Sequence, residues 1–316
     1  MASVWSVGVS LTSQLGQRRN PLREFFEARM PNLKGVQARW RECGPAGIAP
    51  LGAPPGTMGM AFDYRLRYLF AVTSPRDFLA CQGAAELAGA LPDRGDPERD
   101  PSMCFALGTD LYGRLSEELT GLVDRVRPVG RRLAAAEEAE LCRHCYVLAL
   151  YEQFYRAGVR WDSPLGRMDP AASAADALAL VPDVAVRDLC ALVEGLHASE
   201  LAGWVGRAIV ANPVFSGSRL VGGADGDLIV DNCLIDVKVS ASRCPDRDWV
   251  YQLLGYALLD LDDVLGIERV ALYHARGPAL MTWGLQELVD EAAQSPVDLS
   301  ALRAAFRVVL SLQGGD

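Results

Sequence analysis

Lysine is nearly missing from this chain: of 31 Lys and Arg residues only Lys34 and Lys238 are lysines, and the other 29 are arginines. Positive charge as a whole is also short. The formal net charge of −9 argues against a protein that coats nucleic acid nonspecifically, because such binding rests on neutralising phosphates. No stretch approaches the ~18 uninterrupted apolar residues of a membrane span. The segment Met1 to Thr12 has no basic region ahead of an apolar run, so no secretory signal is read there. These absences lead to the expectation of a cytoplasmic protein with no membrane partner. Eight cysteines are spread over 316 residues, and Cys81, Cys145, Cys190 and Cys233 sit in or beside apolar runs, as free buried thiols do, so disulfides are not expected. A Gly-rich phosphate loop, a Ser/His/Asp signature and a cofactor motif are all missing, which leaves an unrelated small-molecule enzyme without support.

What is present is the composition of a folded protein, half hydrophobic and only 22% charged, at a length that suits one large domain or two ordinary ones. The charge is uneven. Ala191 to Asp316 holds 9 Lys and Arg against 17 Asp and Glu, while the first 190 residues hold 22 against 23. A phosphate-binding surface is therefore expected to draw on the N-terminal part. A chain that uses Arg almost everywhere yet keeps Lys238 suggests a need that a planar, permanently charged guanidinium cannot meet and a compact, tunable amine can.

Residues 1 to about 60 read as a loop-rich opening segment, with Pro and Gly clustered from Cys43 to Gly59,. Helical patterns follow at Phe62–Val72 and Pro75–Leu91, then a charged loop at Pro92–Pro101, then amphipathic stretches at Leu111–Val126 and Leu133–Ala157,. Pro164–Ser173 reads as a hinge. A further helix is expected from Pro182-Asp183 to about Ala211, stopped by Asn212-Pro213. Strand-like runs come next at Ser218–Val221, Asp227–Val230 and Leu234–Val239, and again at Val270–His274 and Ala279–Trp283,. Helices at Trp249–Leu261, Leu285–Ala293 and Leu299–Leu312 complete the order. The expected fold class is α/β (α+β), with a mainly helical region at 1–180 that selects a substrate or partner and a strand-bearing domain at 181–316.

The chemistry concentrates in Gly223–Ser240, which puts an acid, Asp227, before one strand and Asp236-Val237-Lys238 inside the next. Asp231-Asn232 between them is a tight hairpin signal, so pairing sets Asp227 beside the end that holds Asp236. Alternation puts Asp236 and Lys238 on one face. Two carboxylates and an ammonium on a strand otherwise made of Leu, Ile and Val are costly to bury unless they serve one another or a metal. Oxygen ligands suit Mg²⁺ or Mn²⁺. Asp225 competes with Asp227 for the role of first ligand, although Gly223 and Gly226 beside it suggest a turn.

These residues resemble the PD-(D/E)XK nuclease superfamily, whose core is a restriction-endonuclease-like αβββαβ unit with a mixed sheet flanked by helices. Asp227 matches its first acid, Asp236 the second and Lys238 the lysine; Asp stands where Glu is commoner. Gln252-Leu-Leu-Gly-Tyr256 is similar to the Q-x-x-x-Y motif of the branch that includes RecB-like and Cas4-like nucleases, where the two polar tips are implied to contact substrate or brace the site. In that family the preceding helix often adds an acid or histidine. Glu200, with His197 one turn earlier, is the candidate third metal ligand, without a clear G-x-x-x-H signature around it. The resemblance covers roughly residues 190–285. It implies a metal-dependent hydrolase of phosphodiester bonds, with DNA as the expected substrate, serving repair, recombination or defence, with catalytic residues Asp227, Asp236, Lys238, Gln252 and Tyr256 and metal ligands Asp227, Asp236 and Glu200. The alternative is a nuclease-like fold that serves as an inactive scaffold for nucleic acid or protein.

Three further groups invite a reading. Cys142-Arg-His-Cys145 has metal-like spacing but no evident partner pair and is read as structural. The arginines Arg125, Arg127, Arg131 and Arg132, with Arg39 and Arg41, are candidates for a phosphate track as well as for a solvated surface. Arg276, just after a core strand, is placed to touch a phosphate.

Overall fold

Ser10 and Asn20 each turn a side-chain oxygen onto an early N–H of a helix, Ser10 accepting from the Ser13 amide at 3.2 Å and Asn20 from the Leu22 amide at 2.9 Å, as helix caps do. With Pro21 at the first position of the second helix, these signals produce α1 (Leu11–Gly16), α2 (Pro21–Arg29) and α3 (Lys34–Cys43). The expectation of an irregular opening segment is corrected for these residues. Proline at a helix start and arginines on an outer face had been read as loop composition, whereas Leu22, Phe25, Phe26 and Met30 recur at helical spacing and are buried,. The computed structural model describes residues 10–43, 47–90, 101–242 and 245–313. The expectations for Met1–Val9 and for most of the Pro92–Pro101 loop lie outside these residues.

The chain divides into two compact units, residues 1–47 with 199–316, and residues 48–198. The second is helical: α4 (Pro55–Phe70), α5 (Leu79–Gly89), α6 (Pro101–Phe105), α7 (Tyr112–Val126), α8 (Ala135–Ala157), α9 (Ala174–Ala179) and α10 (Asp183–His197). Helix α5 lies close on α8, because Gly83 meets the chain of α8 where any Cβ would collide with the Tyr151 carbonyl. The sequence reading set its boundary at 180/181, and α10 falls on the other side of the division. Its apolar stripe, Val186, Leu189, Val193 and Leu196, packs on α4 and α8.

The first unit carries β1 (Ile209–Ala211), β2 (Leu228–Val230), β3 (Cys233–Lys238), α11 (Arg247–Leu259), β4 (Arg269–His274), β5 (Ala279–Gly284), α12 (Leu285–Ala293) and α13 (Leu299–Gln313). The strands form one open mixed sheet in the order β1-β2-β3-β4-β5. β1, β2 and β3 are successively antiparallel, β4 runs parallel to β3, and β5 is antiparallel to β4. Helix α11 is thus the crossover that a parallel neighbour requires. The Asp231-Asn232 turn, both residues at positive φ, closes the β2–β3 hairpin as its sequence signals.

Two expectations are corrected here. Ser218–Val221 is a 3-10 turn, not a strand; Gly217 before it and Gly222 in the left-handed region after it wind four residues into a turn,. The helix expected to reach Ala211 ends at His197. A 3-10 segment at Glu200–Trp204 and a turn through Gly206 at φ 89 redirect the chain into β1. No helix among the described residues is long and apolar enough to cross a membrane.

Phe26 is fully buried, stacked on Tyr251 at 5.2 Å and edge-on to Phe25 at 5.3 Å. Phe26→Ala is therefore expected to destabilise the chain by about 3 kcal/mol. Urea unfolding of the variant measures this, and a change near zero would return α2 to the status of a loose appendage.

Candidate functional site

Strand β3 begins as Cys233-Leu234-Ile235, all buried, and ends as Asp236-Val237-Lys238. The apolar start anchors it in the sheet and the polar end emerges where β3 leaves the core. The last β2–β3 pair is Leu228–Ile235, and one further step of the same register sets Asp227 opposite Asp236. The Asp227 carboxylate accepts the Val237 amide at 2.6 Å, so it is held against the peptide between Asp236 and Val237.

Asp236 is only 2% exposed. Its carboxylate meets the Lys238 ammonium at 2.7 Å, the two side chains lying on one face of β3 as alternation requires. Burial raises the Asp236 carboxyl above the ordinary carboxylate range, and Lys238 opposes that rise by its charge and hydrogen bond,. Lys238 Nζ also donates to Gln252 Oε1 at 2.7 Å. Gln252 in turn donates through Nε2 to the Tyr256 hydroxyl at 2.7 Å and to Thr12 Oγ1 at 3.0 Å. The one-turn spacing on α11 thus carries a continuous polar row, Asp236, Lys238, Gln252 and Tyr256.

Tyr256 closes the row. Its ring stacks on Phe215 at 5.3 Å and 16°. Burial pushes its hydroxyl pKa up, and the carboxylates of Asp236, Asp225 and Asp227 add to the rise. Asp225, Asp227 and Asp236 therefore all bear electrostatically on one hydroxyl.

Sequence reasoning missed two members. Thr12 of α1 holds the second N–H of the Gln252 amide, and Phe215 supports the Tyr256 ring. Neither had a local signal, since Thr12 lies 240 positions from Gln252 and Phe215 reads as an ordinary core aromatic. Gln14 of α1 also donates to the Val221 carbonyl at 3.2 Å, which ties α1 to the loop that leads into Asp225 and Asp227.

Other expected residues stand apart. Glu200 is exposed at the start of the 3-10 segment, and among the described residues no group of three or more His, Cys, Asp or Glu is arranged to hold a metal. His197 falls with the helical unit. Arg276 is buried near His274, whose ring nitrogen lies 2.8 Å from the Ser240 carbonyl. Several arginines read as a phosphate track are already engaged: Arg125 with Glu140, Arg132 with Glu194, and Arg39 with Glu287 and Glu291.

For Mg²⁺ or Mn²⁺ the fit rests on Asp227 and Asp236, with Asp225 beside them. They offer the hard oxygen donors these ions take while retaining several waters, and Asp236 is a buried carboxylate whose charge a cation would stabilise. No family model matches the chain, and neither a curated protein nor a solved structure matches it.

The buried pair sets a pH dependence. Because the folded-state pKa of Asp236 is raised, its protonated form is favoured in the fold, and the associated stability is lost as pH rises through that pKa. Lys238→Met leaves desolvation unopposed and moves the carboxyl further up. In EDTA, the variant is expected to lose about 3 kcal/mol at pH 7 and much less near pH 4, with Asp236→Asn restoring most of the loss. A penalty equal at both pH values, measured by urea unfolding, would refute the pairing argument.

Proposed function

We propose that this chain is a metal-dependent nuclease of the PD-(D/E)XK type, hydrolysing phosphodiester bonds with DNA as its expected substrate. The observation that carries the reading is the polar row in which Asp236 is ion-paired with Lys238, Lys238 donates to Gln252 and Gln252 to Tyr256, with the Asp227 carboxylate against the same strand. The strand order supports it: three antiparallel strands, a crossover helix, and a fourth strand parallel to the third. This order agrees with the βββαβ part of the core that the resemblance implies. The helix expected ahead of it is, within this unit, only the 3-10 segment Glu200–Trp204, which weakens Glu200 as a ligand.

Asp227 and Asp236 would hold Mg²⁺ or Mn²⁺, which when bound lowers the pKa of a water, polarises the phosphoryl group and steadies the leaving oxygen. Lys238 has three N–H donors; one goes to Gln252 and its charge is paired with Asp236. The ammonium would meet a phosphoryl oxygen or the attacking water, where a compact cation stabilises developing negative charge. Gln252 fixes the direction of that ammonium, and its own amide is held by Tyr256 and Thr12. Tyr256 keeps its proton, because burial and three carboxylates oppose its ionisation, so it serves as a donor or brace and not as a base.

One observation favours the second reading, a nuclease-like scaffold: the excess of 17 acidic over 9 basic residues in Ala191–Asp316 repels free nucleic acid. The two readings separate in a cleavage assay on linear duplex, single-stranded and supercoiled DNA with Mg²⁺, Mn²⁺ or EDTA. Metal-dependent cutting that falls about 100-fold or more in Lys238→Ala, with the variant shown folded by circular dichroism, supports the nuclease. Binding without cutting by the wild type in either metal supports the scaffold.

A further inference from the structure

Helices α8 and α10 of the 48–198 unit pack on each other, and at their contact two thiols face each other. Cys142 Sγ and Cys190 Sγ lie 3.9 Å apart, near van der Waals contact. Cys142 is fully buried and Cys190 is half-buried, so of the two residues Cys190 lies nearer the surface. Cys142 Sγ is 3.5 Å from Glu138 Oε1, and Glu138 is bound by Arg65 at 2.6 and 2.8 Å. The charged groups bearing on Cys190 are Arg65, Arg143 and Glu138; Arg143 is itself paired with Asp183 at 2.6 Å. Cys190 Sγ–H donates to Cys142 Sγ, and Cys142 Sγ–H to Glu138 Oε1. The thiol–thiol contact lowers the Cys190 pKa against the opposing effect of burial, and the same contact, followed by burial, raises that of Cys142,. The two sulfurs are thus unequal in burial and in surroundings. That division is what a reacting thiol and a resolving thiol require.

We propose that Cys190 and Cys142 are a peroxide-responsive thiol pair, Cys190 reacting first and Cys142 resolving it into a disulfide that joins α10 to α8. The steps balance. The Cys190 thiolate attacks hydrogen peroxide, the O–O bond breaks, and Cys190 sulfenic acid and hydroxide form. Cys142 attacks the sulfenic sulfur; the S–O bond breaks, the S–S bond forms, and the Cys142 proton leaves with the displaced hydroxide as water. The proton that Cys190 lost converts the first hydroxide to water. Two thiols are oxidised by two electrons and one peroxide is reduced. A disulfide needs its sulfurs about 2.05 Å apart, so its formation draws them together from 3.9 Å.

The inference is independent of the nuclease reading and is tested without an activity assay. The full-length chain is treated with hydrogen peroxide, remaining thiols are blocked, and the protein is digested without reductant and examined by mass spectrometry. A peptide joining Cys142 to Cys190, removed by dithiothreitol, is expected; in Cys142→Ser, dimedone is expected to trap the sulfenic acid at Cys190. Cys81 provides an internal reference, being half-buried with its thiol pushed up by desolvation. Iodoacetamide should label Cys190 about ten times faster than Cys81 at neutral pH, since the thiolate is the nucleophile. Labelling no faster than Cys81, or oxidation of Cys190 without the joined peptide, overturns the proposal.

Discussion

The contact between Lys238 and Asp236 is the constraint on which the site depends. An isolated carboxylate at this depth in the sheet would be expelled or protonated, so the pair explains how Asp236 can occupy a strand of Leu, Ile and Val. Its geometry then propagates. The ammonium that neutralises Asp236 fixes Gln252, which fixes the Tyr256 hydroxyl, and Phe215 and Thr12 close the far end. Each polar group is positioned by a neighbour that is itself positioned, the condition for a preorganised site.

That constraint also accounts for the single well-placed lysine in an arginine-rich chain. A guanidinium carries a planar fork suited to one bidentate carboxylate, which is how Arg65 holds Glu138 in the helical unit,. Lys238 does something different: it divides its donors between a carboxylate on its own strand and an amide on the crossover helix. A small tetrahedral cation on a flexible stem meets those two acceptors from one atom.

Much of this was legible in the sequence because the contacts are local or periodic. The Asp231-Asn232 turn fixes the β2–β3 register, and register sets Asp227 against Asp236. Alternation pairs Asp236 with Lys238, and a four-residue spacing pairs Gln252 with Tyr256. Strands β2 to β5 were readable for the same reason. What was hidden depends on distance along the chain. Helices α1 to α3 look like loops until Phe26 and Trp40 are seen inside the core they share with Tyr251 and Phe306, and Thr12 reaches Gln252 only through the tertiary fold. β1 was hidden by its length, three residues between Gly206 and Asn212, too short for a period to show.

The balance of charge decides how a phosphate backbone could approach this site. In the same unit, several arginines are committed to acids: Arg23 to Asp248 and Glu27, Arg39 to Glu287 and Glu291, and Arg303 to Asp263. Such pairs leave little positive potential to steer a polyanion. Asp225, Asp227 and Asp236 bring negative charge to the site, and Lys238 pairs with only one of the three. Under the nuclease reading, cation binding and substrate binding are therefore one linked equilibrium. On that reading the same acids that repel a bare phosphate would create the demand for a divalent ion, and meeting it would turn the site from repulsive to attractive. The acidic balance of the unit would then be no contradiction to the nuclease reading, because DNA binding at the site would be conditional on metal.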